Sequence, residues 1–220
     1  MQIGEAIGEP MRVHGLARDG EEERAKVLAL LAKVGLGEEH LRRYPHELSG
    51  GQRQRVVIAR ALSVEPRFVV CDEPVAALDV SVQAQVVNLL RDLQAELGLS
   101  YLFVAHDLSV VRLVSRRVAV MYLGRIVELA DAEALYEEPL HPYTKALLTS
   151  VPTGDPERPR LHAPLAGEPP SPTDPTLRRG CAFHPRCPVA ERGRCDLERP
   201  ALRTVRRKGV EREVACHLVE

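Results

Sequence analysis

Leu48-Ser49-Gly50-Gly51-Gln52-Arg53-Gln54-Arg55 opens a helix-like run that continues through Val56, Val57, Ala61 and Leu62 until Pro66 breaks it. Two glycines at a helix start let backbone N–H groups approach an anion closely, and the helix dipole and the Ser49 hydroxyl favour phosphate there. Taken alone, Ser-Gly-Gly is more simply a flexible helix start. Its weight comes from what surrounds it. Downstream, Arg67-Phe68-Val69-Val70-Cys71 reads as a short buried strand ended by Asp72-Glu73-Pro74. Val82, Val86, Leu89, Leu93 and Leu97 trace a long amphipathic helix that closes at Gly98. A second apolar run, Tyr101-Leu102-Phe103-Val104-Ala105, stops at His106-Asp107.

Upstream, Val27, Leu28, Leu31 and Val34 share one helical face, and Gly35 and Gly37 supply the stop; residues 1–20 show no clear periodicity. After a short helix beyond His106, the runs 118–123 and 126–129 flank Gly124 like a hairpin. Asp131 suits a helix cap, and Pro142 suits the first residue of another helix. Strands that alternate with helices and are apolar on both faces predict an α/β fold with a parallel sheet covered on both sides.

The composition narrows the class. The chain has 220 residues with 45% hydrophobic and 28% charged, enough for one domain with a core plus an appendage. A net charge of -1 gives no global pull toward nucleic acid, so no nucleic-acid partner is expected. No apolar run approaches the ~20 residues that span a bilayer, and the Met1-Gln2-Ile3-Gly4-Glu5 start has no secretory pattern. The cytosol is the expected compartment, where structural disulfides among the five cysteines are disfavoured. At Val151 the composition shifts, and residues 151–180 read as a Pro-rich linker or extended wrap.

Asp72 and Glu73 end a buried strand, and parallel sheets bind ligands at the carboxyl ends of their strands. An Asp there can hold Mg2+, directly or through water, while a second carboxylate polarises a water for in-line attack on phosphorus. The alternative is a pair of acids in a solvated loop. In this order and spacing the stretch 48–55 resembles the signature motif of the ABC ATPases. Asp72-Glu73 resembles a Walker B strand followed by the catalytic glutamate, and Ala76-Ala77-Leu78-Asp79 the D-loop. His106 resembles the switch histidine, which contacts the terminal phosphate. Ala76 departs from the usual Ser-Ala-Leu-Asp and removes a hydroxyl from the dimer contact. The stretches 71–75, 78–86, 141–148 and 180–188 are most similar to the oligopeptide/dipeptide importers, in particular their second ATPase subunit; nickel and other small-solute importers share the family.

The resemblance implies a partial P-loop NTPase fold with a helical signature subdomain and a small Cys-containing C-terminal extension. Its expected limits are 1–150 for the ATPase part (signature region about 20–63, Walker B to switch 64–150), 151–180 for the linker and 181–220 for the extension. It also implies ATP and Mg2+ as cofactors and head-to-tail pairing with a second ABC ATPase subunit. Ser49, Gly50, Gly51 and Gln52 would face the partner's ATP, Asp72, Glu73 and His106 the chain's own nucleotide site, and Asp79 of the D-loop counts among the implied nucleotide-binding residues. Transmembrane permease subunits and, indirectly, a solute-binding protein complete the implied assembly, peripheral on the inner face of the plasma membrane. A P-loop needs Gly-x-x-x-x-Gly-Lys-Ser/Thr, and none of Lys26, Lys33, Lys145 and Lys208 follows a glycine. The sequence therefore reads as roughly two-thirds of a subunit, catalytically incomplete by itself. A non-catalytic half-site partner or a metal-binding interaction module are the rival readings.

Cys181, Cys187, Cys195 and Cys216 are separated by six, eight and twenty-one positions, unlike the paired C-x-x-C of a zinc ribbon. Four thiolates suit a [4Fe-4S] cluster, and Cys187-Pro188 resembles the Cys-Pro of ferredoxin loops. Zn2+, with His184 or His217 replacing a ligand, and free thiols are the alternatives. Cys71 is read as a small buried hydrophobe.

Overall fold

The computed structural model describes residues 1–149, 168, 170, 171, 177 and 179–219. They belong to two compact units, Met1–Val110 and Val111–Glu220. The expected linker 151–180 therefore lies outside the described residues, apart from residues 168, 170, 171, 177, 179 and 180.

The first unit begins with a helix, α1 (Ile3–Val13), where the sequence shows no obvious period. Ile3, Ile7 and Met11 recur every fourth residue and are buried. Gly4, Gly8 and Pro10 mask that stripe, because all three count as helix breakers. Gly4 has a packing reason. Its N–H donates to the Leu41 carbonyl at 2.9 Å, and a Cβ there would lie 3.2 Å from that oxygen. Helix α2 (Gly20–Lys33) is capped by Asp19, which accepts the Glu22 N–H at 2.8 Å, and it buries Val27 and Leu31 as expected. Helix α3 (Gly50–Leu62) buries Val56, Ile58, Ala59 and Leu62.

Strand β1 (Phe68–Asp72) pairs in parallel with β2 (Ser100–Val104), Phe68 opposite Ser100 and Asp72 opposite Val104. Between them runs α4 (Val80–Leu97), which buries Val86, Val87, Leu90 and Leu93 and stops at Gly98, in the left-handed conformation at φ 65°. One side of the strand pair faces α4, where the Tyr101 hydroxyl donates to the Leu90 carbonyl at 3.1 Å. The expected cover on both sides is not found among the described residues. Phe68, Val70, Leu102 and Val104 are 55%, 56%, 51% and 44% exposed, an apolar strip along the other face.

After α5 (Leu108–Val114), the second unit holds β3 (Arg117–Tyr122) and β4 (Arg125–Asp131), the expected antiparallel hairpin, turning at Leu123 and Gly124 with φ of 46° and 74°. Helices α6 (Ala132–Glu137) and α7 (Pro142–Thr149) follow, with Pro142 as the first helical residue. Asp131 precedes α6 as expected, although its side chain makes no capping bond. The tail supplies β5 (Arg203–Arg207) and β6 (Val210–Val214), giving a sheet of order β3-β4-β6-β5. Residues 181–220, set apart by composition, thus join the hairpin: Val214 pairs with Glu128 and Glu213 with Leu129.

Two buried groups organise this unit. Phe183, 1% exposed, packs against Tyr122, Tyr143 and His141, with ring centroids 5.2, 5.4 and 5.9 Å away. Glu128 is fully buried, and its two oxygens accept the N–H groups of Leu140 and His141 at 2.9 Å each. The His141 ring accepts the Tyr143 N–H at 3.0 Å and is held by the Ala215 carbonyl, and burial pulls its pKa from 6.5 down to about 4.

The direction of that shift makes a prediction. The unfolded histidine takes up its proton near pH 6.5, and the folded ring refuses it until about pH 4. The unfolded state therefore binds more protons across this window, and stability falls as pH drops through it, by roughly 3 kcal/mol at most. Denaturant titrations at pH 7 and pH 4.5, followed by near-ultraviolet circular dichroism, should show a loss that His141→Gln reduces. An equal loss in the variant would refute the assignment. The apolar strip makes a second. The 220-residue polypeptide should bind a hydrophobic dye and self-associate, and Val70→Thr with Leu102→Thr should weaken both. A monodisperse, dye-silent parent chain would count against this.

Candidate functional site

The quoted stretch forms the start of α3 as a capping box. The Ser49 Oγ accepts the Gln52 N–H at 3.3 Å, and the Gln52 Oε1 accepts the Ser49 N–H at 3.1 Å. Ser49 and Gly50 are exposed and Gly51 and Gln52 half-buried. The glycines have a steric role that local sequence does not reveal. A Cβ on Gly51 would lie 2.5 Å from Val82 Cγ1, and one on Gly50 would lie 3.3 Å from Leu78 Cδ2. The start of α3 is therefore pressed against the residues around the start of α4. His40, which carries no local motif, also reaches this point. It is buried, with its Nδ1 3.1 Å from the Gly37 carbonyl and its Nε2 3.4 Å from the Gln52 amide nitrogen. That contact turns the Gln52 oxygen toward Ser49.

Asp72 is the last residue of β1, and Glu73 follows in the left-handed region at φ 45°. The Glu73 N–H donates to the Val104 carbonyl at 2.9 Å, which ties it to the end of β2. Its Oε1 lies 3.1 Å from His106 Nδ1. His106 is held just before α5, where Asp107 Oδ1 accepts the N–H groups of Ser109 and Val110 at 2.8 and 3.3 Å. The strand ends thus bring Glu73 and His106 into contact, with Asp72 one residue before Glu73, and all three are exposed. A carboxylate paired with an imidazole at the carboxyl end of a parallel pair can accept a proton from water. Asp79 caps α4, accepting the Val82 N–H at 2.9 Å and the Ser81 hydroxyl at 2.8 Å. The Val82 N–H and then the Ser81 hydroxyl hold its carboxyl below the usual range.

In the second unit, Cys181, Cys187, Cys195 and Cys216 line one small cavity with His141, Phe183, His184 and His217. Burial pushes the Cys181 and Cys187 thiols up. No group of three or more His, Cys, Asp and Glu side chains among the described residues is placed to hold a metal ion. The donor set suits a thiolate-bound centre, but the side chains as positioned do not close around an ion. Cys71 sits buried in β1, as read from the sequence.

A parallel strand pair ending in Asp-Glu, a histidine beside that glutamate and a Ser-Gly-Gly helix start define an ABC-type ATPase fold. The ABC transporter profile matches residues 3–76, and the oligopeptide/dipeptide transporter C-terminal region matches residues 127–195. The chain is 56% identical over 222 residues to a Brucella abortus (strain 2308) protein named for peptide import ATP binding, covering 99% of this chain and 62% of that protein. It is 53% identical over 204 residues to the oligopeptide transport ATP-binding protein OppF of Escherichia coli (strain K12), covering 92% of this chain and 60% of that protein. The chain thus spans about three-fifths of the length of these relatives. Among solved structures, the dimeric bacterial ABC transporter cassette MJ0796 matches with a TM-score of 0.53 and 33% identity, covering 60% of this chain and 57% of that one. A metal-chelate type ABC transporter, inward-facing, matches in fold with a TM-score of 0.59 at 23% identity, covering 69% of this chain and 60% of that one. The chain therefore carries a region of the ABC transporter family together with the oligopeptide/dipeptide transporter C-terminal region.

The Gly51 contact is testable. Gly51→Ala should destabilise the protein by about 1–3 kcal/mol, because a β-branched side chain is stiff and cannot turn aside. Val82→Ala should restore most of that loss. Denaturant midpoints for both single variants and the double variant check this, and additive effects would show that the two positions do not compete for space.

Proposed function

We propose that this chain supplies the signature, Walker B, D-loop and switch-histidine parts of an ATP-hydrolysing subunit that powers an importer for oligopeptides or dipeptides. The observation that carries this reading is the Glu73–His106 contact beside Asp72 at the ends of β1 and β2. When Mg2+ and ATP bind, the metal offsets the developing phosphoryl charge. Asp72 would hold the metal, Glu73 would draw the proton from the attacking water, and His106 would orient Glu73 and meet the terminal phosphate. Ser49, Gly50, Gly51 and Gln52 would serve a nucleotide held by a second ABC ATPase subunit in a head-to-tail pair, with Asp79 at the contact. Permease subunits would anchor the pair on the cytoplasmic face of the plasma membrane, and a solute-binding protein would deliver the peptide. No helix among the described residues is long and apolar enough to cross a membrane.

The 220 residues contain no Gly-x-x-x-x-Gly-Lys-Ser/Thr. The polypeptide by itself is therefore expected to turn over no ATP. Fused behind the P-loop-bearing N-terminal part of a relative, it should hydrolyse ATP, and Glu73→Gln should lower kcat about 10²–10⁴-fold. Turnover by the fusion that ignores Glu73→Gln would refute the assignment.

From the donor set alone, and although the thiols as positioned do not close around an ion, we propose a [4Fe-4S] centre on Cys181, Cys187, Cys195 and Cys216, which line one cavity. Its role would be structural, since thiolate ligation supplies folding free energy. Anaerobic purification with iron, sulfide and zinc analysis tests it, with Cys→Ser at each position. Stoichiometric zinc without iron would replace the cluster by a zinc site, and absence of metal with unchanged stability in all four variants would refute both.

A further inference from the structure

The turn that carries Glu73 into α4 is held from outside by a side chain that neither strand nor signature supplies. Gln83, half-buried in the first turns of α4, points its amide nitrogen back at that turn. Its Nε2 donates to the Val75 carbonyl at 3.1 Å and to the Leu78 carbonyl at 3.0 Å. Both distances are those of ordinary hydrogen bonds, and the two N–H groups of one primary amide can serve both acceptors at once. The bonded carbonyls flank Ala76 and Ala77, which have no side-chain polar atom to hold the turn. Within the turn, the Ala76 N–H reaches the Glu73 carbonyl at 3.3 Å and the Leu78 N–H reaches the Val75 carbonyl at 3.2 Å.

The need for such a clamp lies at Glu73. A non-glycine residue at φ 45° occupies a strained conformation and persists only where its surroundings over-determine it. The bond from its N–H to Val104 fixes one end of the turn, and the cap of Asp79 on α4 fixes the other. Gln83 closes the span between them. Resting on the proposed ATPase reading, we propose that Gln83 is a positioning residue for hydrolysis, holding the turn from Glu73 to Leu78 so that the Glu73 carboxylate stays on His106.

Two measurements separate the clamp from the ATPase reading. The first uses the 220-residue chain and the ¹⁵N signals of the His106 imidazole at fixed pH. Gln83→Leu removes both donors and should move the Nδ1 signal toward that of a free exposed histidine. Gln83→Glu keeps the length, cannot donate when ionised, and should do the same if the leucine variant folds poorly. Gln83→Arg retains N–H donors and should restore the signal. Leu90→Ala, at a buried position of the same helix, should lower stability and leave His106 unmoved. The second uses the hydrolysing fusion. Gln83→Leu should lower kcat about tenfold with little change in KM, and Gln83→Arg should recover most of it. An unmoved His106 signal in both donor-free variants would overturn the clamp. A moved signal with unchanged kcat would overturn its role in hydrolysis, and an inactive parent fusion would instead refute the ATPase reading.

Discussion

The missing side chain at Gly51 sets the spacing of the first unit. A methyl group there would lie 2.5 Å from Val82, so the starts of α3 and α4 can be this close only because one of them is bare. Close approach places Ser49 beside the turn that ends in Asp79. The turn is fixed by the same helix that Gly51 contacts, since Asp79 caps α4 and Gln83 reaches back to Val75 and Leu78. One packing constraint thereby couples the signature start to the turn that leads out of β1.

The second unit depends on a buried carboxyl group. Glu128 is shielded from solvent and, among the contacts described, meets only two backbone N–H donors just before α7. Burying a carboxylate is costly unless its oxygens are bonded, and these two bonds meet part of that demand while fixing Leu140 and His141. His141 passes the constraint on, through its ring to Tyr143 and Ala215 and by contact to Phe183. Cys181 lies two residues before Phe183 and Cys216 one after Ala215, so the thiol cavity inherits its shape from this network.

Features carried by local chemistry were legible in the sequence. The helix start at Ser49-Gly50-Gly51, the stop at Gly98, the turn at Gly124 and Pro142 at the head of α7 depend on neighbours within a few positions, and each is found as read. The Asp72-Glu73 and His106 positions followed from strand ends, and the parallel register brings Glu73 and His106 into contact. Features decided by distant partners were not legible. The α1 stripe was hidden because Gly4 answers to Leu41. The pairing of β6 with β4 joins residues more than eighty positions apart, across a stretch whose composition suggested a boundary. Gln83 lies within the stretch 78–86 that carries the resemblance, but its bonds to Val75 and Leu78 could not be read there, since they depend on how the turn folds back.

The two neighbouring helix starts differ in charge, and the difference bears on which can receive an anion. Each helix N-terminus carries unpaired N–H groups and the positive end of a dipole. At α4 that end is offset by the Asp79 carboxylate, held ionised by the Val82 N–H and the Ser81 hydroxyl. At α3 the cap is the neutral Ser49 hydroxyl, with Gly50 exposed beside it. The positive end of α3 is thus left uncompensated by its own cap. An approaching phosphate would be drawn to α3 and repelled by the Asp79 carboxylate, so the two starts, although packed together, are suited to different tasks. In the proposed reading, α3 receives the nucleotide of the partner subunit while the α4 start, tied down by Asp79 and Gln83, keeps the Glu73 turn in place.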